Sequence, residues 1–257
     1  MNSVITRAFV NIRFHLFLSA MLFALCVFSF SSCSMFSKPY SGKILVYHGI
    51  SAGEEETVYY RNVEKFRNDM EYIQSMNLDV ISYDEMINRL ETGQAFKRPF
   101  VVIAFDDGLS SDYENAYPIL KEFDYPAIFF LLGTRQGNWN KYAEMTAYRN
   151  DQNEQLFAVG SHSYSHIKHA FLCDSELGEQ FVWSREAMKD YFGVYPDHLA
   201  LPFGSGIACS KVRTSAMAAG FKSVRGIVNG LVDQYSDPAR LNAKLIYSYT
   251  KIENVIH

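Results

Sequence analysis

Acidic residues are missing from the first 53 positions, which hold Arg7, Arg13, Lys38 and Lys43. A long apolar run is missing as well. The stretch Leu16 to Phe30, broken only by Ser19 and Ser29, falls short of the roughly 20 residues a membrane-spanning helix needs. Basic residues ahead of a short apolar core form an export signal instead. Cysteine is scarce, with four in 257 residues and no C-x-x-C pair, which excludes a structural cysteine-zinc module. There is no excess of positive charge: 24 basic against 28 acidic residues give −4, which argues against nucleic acid as a partner. Internal repeats and low-complexity tracts are absent. What remains is 48% hydrophobic and 20% charged, enough for a substantial core in one barrel-sized domain.

The apolar run ends Phe30-Ser31-Ser32-Cys33, which resembles a relaxed bacterial lipoprotein cleavage site. Phe30 stands where an aliphatic residue is usual. The expected organisation is a signal at 1–32, a lipidated Cys33 with a linker to 42, and a folded domain at 43–257. An ordinary signal peptide or an uncleaved anchor would export the remainder equally. Cys26 leaves with the signal, while Cys173 and Cys209 stay in the folded part. An oxidising compartment permits a disulfide between them.

Strand-like and helical patterns then alternate. Lys43 to His48 predicts a buried strand. Val63, Phe66, Met70 and Ile73 recur at helical spacing over 63–76. Val80 to Tyr83 predicts a strand, and 84–92 a helix. Phe100 to Phe105 and Ala127 to Leu132 are apolar throughout, as strands covered on both faces are. Phe157 to Val159 and His198 to Leu201 read as shorter strands. Helices are expected at 176–191 and at 210–219, the latter stopped by Gly220. Phe221 to Ile227 and Leu241 to Tyr247 would close the sheet. Such alternation implies a parallel α/β sheet whose reactive groups gather at the strands' carboxyl ends.

At those ends stand Asp106-Asp107-Gly108 and Gly160-Ser161-His162-Ser163-Tyr164-Ser165-His166. One carboxylate and two imidazoles suit a divalent metal, and the other carboxylate is left as a base. Adjacent residues leaving a strand point apart, so the two aspartates can divide these tasks. His162 and His166 are four apart, and a helical turn would put both rings on one face. Taken singly, each motif is more often a turn or surface decoration.

These segments resemble the polysaccharide deacetylase family, also called NodB-homology or carbohydrate esterase family 4. Phe105-Asp106-Asp107-Gly108 resembles its F-D-D-G motif, and Gly160 to His166 its G-S-H-S/T-x-x-H. Tyr47-His48-Gly49-Ile50 and Leu199-Ala200-Leu201-Pro202-Phe203-Gly204 resemble segments of the poly-N-acetylglucosamine deacetylase branch. The resemblance spans residues 43–247 and implies a distorted (β/α)7 barrel. It makes Asp106 the general base and Asp107, His162 and His166 the ligands of a divalent ion, usually zinc. It implies an oxyanion site at the backbone N–H of Phe203 and an N-acetylated glycan as substrate.

Three departures stand beside it. The arginine that orients the base in many members falls at Ala200. The fourth motif with its Trp is missing from Gly230 to Lys244. The late histidine acid has only His257 as candidate, and a chain terminus is a poor mount. Two rival readings therefore stay open: a weak or inactive barrel that binds envelope glycan, and an esterase or amidase acting on a smaller acetylated substrate. Among single residues, His48 reads as a hydrogen-bonded structural histidine and His169 as a solvated neighbour. Trp139, in a Gly/Asn-rich loop, is placed to stack on a sugar, and Trp183 is expected in the core.

Overall fold

The computed structural model describes residues 40–53 and 57–256. The expected export segment, Cys33 and His257 lie outside the described residues. The strands are β1 (Gly42–Tyr47), β2 (Ile50–Ser51), β3 (Arg61–Asn62), β4 (Asp79–Val80), β5 (Phe100–Asp106), β6 (Ala127–Leu131), β7 (Phe157–Ser161), β8 (His198–Ala200), β9 (Ser223–Arg225) and β10 (Lys244–Leu245). The helices are α1 (Val63–Ser75), α2 (Tyr83–Thr92), α3 (Tyr117–Glu122), α4 (Trp139–Ala147), α5 (Asp174–Phe192), α6 (Ser210–Ala218) and α7 (Glu253–Ile256). No described helix is long and apolar enough to cross a membrane.

All seven side chains of β5 are buried, as its unbroken apolar run requires. β1 flanks β5 along one edge, Gly42 opposite Phe100 through Tyr47 opposite Phe105. β4 and β6 share the other edge. The main sheet is parallel and runs β10-β1-β5-β6-β7-β8-β9. Leu241 bridges Arg225 of β9, and three residues later β10 pairs with β1. One segment thus touches both edges, and the seven strands form the distorted (β/α)7 barrel.

Strand alternation separates inside from outside. Ile44, Val46, Val102, Ala104, Ile128, Phe130 and Ala200 pack together in the barrel. Leu45, Tyr47, Ile103, Phe105 and Phe129 pack outward against α1 and α4. Tyr83, Met86 and Ile87 of α2 join the inner cluster and plug it. Gly160 is required here, because a Cβ would meet the Phe130 ring at 2.6 Å.

Several boundaries differ from expectation. Ser82 caps α2 by accepting from the Glu85 N–H, so Tyr83 opens a helix instead of ending a strand. The two closing strands are only Ser223–Arg225 and Lys244–Leu245. Cys173 and Cys209 are free thiols. His198, buried, lies 3.0 Å from Ser223 Oγ and 2.8 Å from Asp84 Oδ1. That set has the composition of a hydrolytic triad, yet Ser223 is fully buried, so it acts as a staple between α2, β8 and β9.

Candidate active site

The inward parity of β5 continues from Val102 and Ala104 to Asp106, which is 2% exposed. On β9, Val224 packs outward with α5 and α6, so Arg225 turns inward. Its Nη2 pairs with Asp106 Oδ1, and its guanidinium lies over the Phe130 ring at 4.5 Å. A buried arginine needs such a partner. Arg225 thus reaches Asp106 from the strand next to that of Ala200, the position where the resemblance places an arginine.

Beyond Asp106 the chain breaks from the strand, with Asp107 at φ 76°. Ser163 (65°), His166 (57°) and Phe203 (58°) are left-handed as well. Each such residue costs on the order of 1 kcal/mol and persists only where its surroundings hold it. The segment after β7 is accordingly an ordered loop and not the helical turn expected from the four-residue spacing. The His162 N–H donates to the Leu131 carbonyl (2.7 Å), and the Gly133 N–H to the Ser163 carbonyl (3.0 Å). Ser165 donates through its N–H and its hydroxyl to Gln180 of α5.

Held this way, His162 Nε2 lies 3.4 Å and His166 Nε2 3.1 Å from Asp107 Oδ1. The three donor atoms lie within 4.8 Å of one another. His162 Nδ1 is 2.9 Å from the Ala200 carbonyl. Donation there fixes the tautomer and leaves the Nε2 lone pair facing Asp107.

These groups open into a cavity of about 440 Å³ that Phe203 also lines. The exposed Phe203 ring sits 4.7 Å from that of His166. His48 lines the same cavity, and its Nδ1 is buried without a hydrogen-bond partner. The structural, hydrogen-bonded role expected for it does not hold. Beneath the aspartate loop, burial raises the Asp112 carboxyl well above its ordinary value. The Tyr142 hydroxyl lies 2.7 Å from Asp112 Oδ2 and 2.9 Å from the Leu109 carbonyl. The Tyr142 hydroxyl is the donor toward both oxygens. The relay braces the turn that carries Asp106 and Asp107.

Other expectations are corrected. His169 is fully buried and stacked on Phe181, and burial pushes its pKa down to about 4; it is not a solvated neighbour. Trp139 is 1% exposed, wedged against Tyr191 and Phe192, so it cannot meet a sugar. Trp183 is 48% exposed on α5, not core. Arg225 was the residue most open to detection. A strand with a buried Val224 must send its neighbours to the opposite face, so Arg225 points into the barrel and needs an acid there.

Residues 93–224 match the sequence profile of the polysaccharide deacetylase family. The chain belongs to the polysaccharide deacetylase family. The poly-beta-1,6-N-acetyl-D-glucosamine N-deacetylase of Staphylococcus epidermidis is 27% identical over 168 residues, 60% of this chain and 57% of that protein. The chain thus spans little more than half the length of this relative. Among solved structures, a Streptococcus pyogenes deacetylase, PplD, in complex with acetate superposes with TM-score 0.73 at 18% identity, covering 86% of this chain and 100% of that one. IcaB from Ammonifex degensii gives 0.70 at 20% identity, covering 80% and 91%. These likenesses are to the barrel. The family profile ends one residue before Arg225, so the partner of Asp106 lies outside the matched segment.

Proposed function

We propose that this polysaccharide deacetylase hydrolyses N-acetyl groups from an amino-sugar polymer, with a divalent metal held by Asp107, His162 and His166. One observation carries the reading: the two adjacent aspartates are committed to different partners, Asp106 to Arg225 and Asp107 to two imidazoles. The donor set fits a metal. Asp107 Oδ1 is buried with no hydrogen-bond partner, and His162 has its tautomer set for ligation. Two imidazoles and a carboxylate with open positions suit zinc. Such an ion supplies Lewis acidity to an attacking water and an amide carbonyl.

Asp106, kept off the ligand set by Arg225, accepts the water's proton. The Phe203 backbone N–H is assigned to the oxyanion. The proton taken by Asp106 is then passed to the departing nitrogen through His48, the imidazole of the cavity outside the ligand set. Acetate and a free amine on the sugar result. The family and the relative named for poly-β-1,6-N-acetylglucosamine support this substrate class.

The test is acetate release by the full chain, with a divalent metal, from β-1,6-linked N-acetylglucosamine oligomers. Release accompanied by new primary amine is expected, and His48→Gln should lower it. If no N- or O-acetylated substrate yields acetate, the chain is a glycan-binding barrel and the hydrolytic reading fails. We further assign residues 1–32 to an export signal and Cys33 to a lipid anchor in the cell envelope, on the charge and apolar pattern of that segment. Cys33→Ser should move the chain from the membrane to the soluble fraction; unchanged partition contradicts the anchor.

A further inference from the structure

The cavity does not end at the reacting groups. Tyr59 and Tyr247 line it beside His48, and a row of rings leads outward. His48 and Tyr59 have centroids 5.4 Å apart, Tyr59 and Tyr247 5.7 Å, and Tyr247 and Tyr249 5.3 Å. The last pair is nearly parallel, at 7°. Exposure is 46% at Tyr59 and 68% at Tyr249. Single exposed aromatics are ordinary. A continuous row with one end inside a reactive cavity is a different arrangement.

The row is also held rigid at some expense. Arg61, 5% exposed, donates from Nη1 to the carbonyls of Tyr247 (3.0 Å), Ser248 (3.3 Å) and Thr250 (3.0 Å). Its Nε and Nη2 fork onto Asp69 at 2.6 Å each, and Tyr47 donates to the same carboxylate at 3.0 Å. The Ser248 N–H donates to the Val58 carbonyl (2.8 Å), tying the two tyrosine loops together. A buried, fully bonded cation thus fixes the backbone of a surface loop. Pre-setting a surface loop lowers the ordering cost of binding.

We propose that Tyr59, Tyr247 and Tyr249 form a row of sugar-stacking subsites for the polymer units flanking the one whose acetamide enters the cavity. The pyranose ring presents an apolar C–H face, and a tyrosine offers a flat ring with a polar rim to match it. The inference rests on the amino-sugar reading above, and it makes the protein select chains over single sugars.

Binding of a β-1,6-linked N-acetylglucosamine hexamer and of the monosaccharide is measured by calorimetry on the full chain under chelator. Tyr249→Ala should weaken hexamer binding about two- to tenfold, the worth of one aromatic contact, and leave monosaccharide binding unchanged. Tyr249→Trp should retain hexamer affinity. Tyr235→Ala, at a tyrosine 76% exposed outside the row, should change nothing. Equal hexamer affinity in Tyr249→Ala and the native chain, or no hexamer binding by the native chain, overturns the row. Weakened binding by a chain that releases no acetate supports the row and sinks the hydrolytic reading. Acetate release with an unchanged KM in Tyr249→Ala does the reverse.

Discussion

Asp106→Asn is expected to slow acetate release by about 10²–10⁴-fold, the span of a lost general base, while the chain keeps its metal. Asparagine has the shape of aspartate and can still accept from Arg225, but it cannot take a proton from water. The proposed ligand atoms belong to Asp107, His162 and His166, none of which the substitution touches. Asp107→Asn should behave differently, losing metal and turnover together, because its Oδ1 faces both imidazoles. Metal analysis beside initial rates separates the two variants. Loss of metal from Asp106→Asn would show that the carboxylates do not divide their tasks.

Arg225→Met should be the most damaging single change to the fold among the site residues. The guanidinium and the Asp106 carboxylate are 0% and 3% exposed. Removing one member of a buried pair strands the other's charge at a cost of about 3–5 kcal/mol. The double variant Asp106→Asn with Arg225→Met should lose less than the two single losses together, since neither charge is then stranded. Arg225→Lys keeps the charge but not the planar fork, so it should recover part of the stability. Urea unfolding of the native chain, the two single variants and the double variant measures the coupling. Strictly additive losses would mean that the pair does not hold the base.

The barrel was legible where burial is two-sided. β5 and β6 are unbroken apolar runs because helices or the barrel interior cover both faces, and no other pattern tells so directly. β4 and β10, two residues each, carry no period to read. They exist because β5 and β1 offer them free edges. The helical turn assumed for His162 and His166 failed because spacing does not reveal backbone hand: Ser163 and His166 both adopt positive φ. The tryptophans exchanged roles for a similar reason. Trp139 opens α4 and turns inward to Tyr191 and Phe192, whereas Trp183 lies on the face of α5 that meets solvent and Tyr164.

The candidate site was half legible. Asp106, Asp107, His162, His166 and Phe203 do converge on one cavity. What the motifs lacked came from elsewhere: an arginine 119 positions beyond Asp106. Contacts across such separations depend on barrel closure, which no local pattern records. The inward parity of Arg225 was the one clue available in the linear chain.

In the proposed reaction a single ion, held by one aspartate and two histidines, drives deacetylation while the other aspartate acts as base. Titrating zinc into the chelated full chain while following acetate release from N-acetylglucosamine oligomers tests it most directly. Release should be absent at the start, rise with added metal and level off at one equivalent per chain. Full release from the chelated chain would contradict the account.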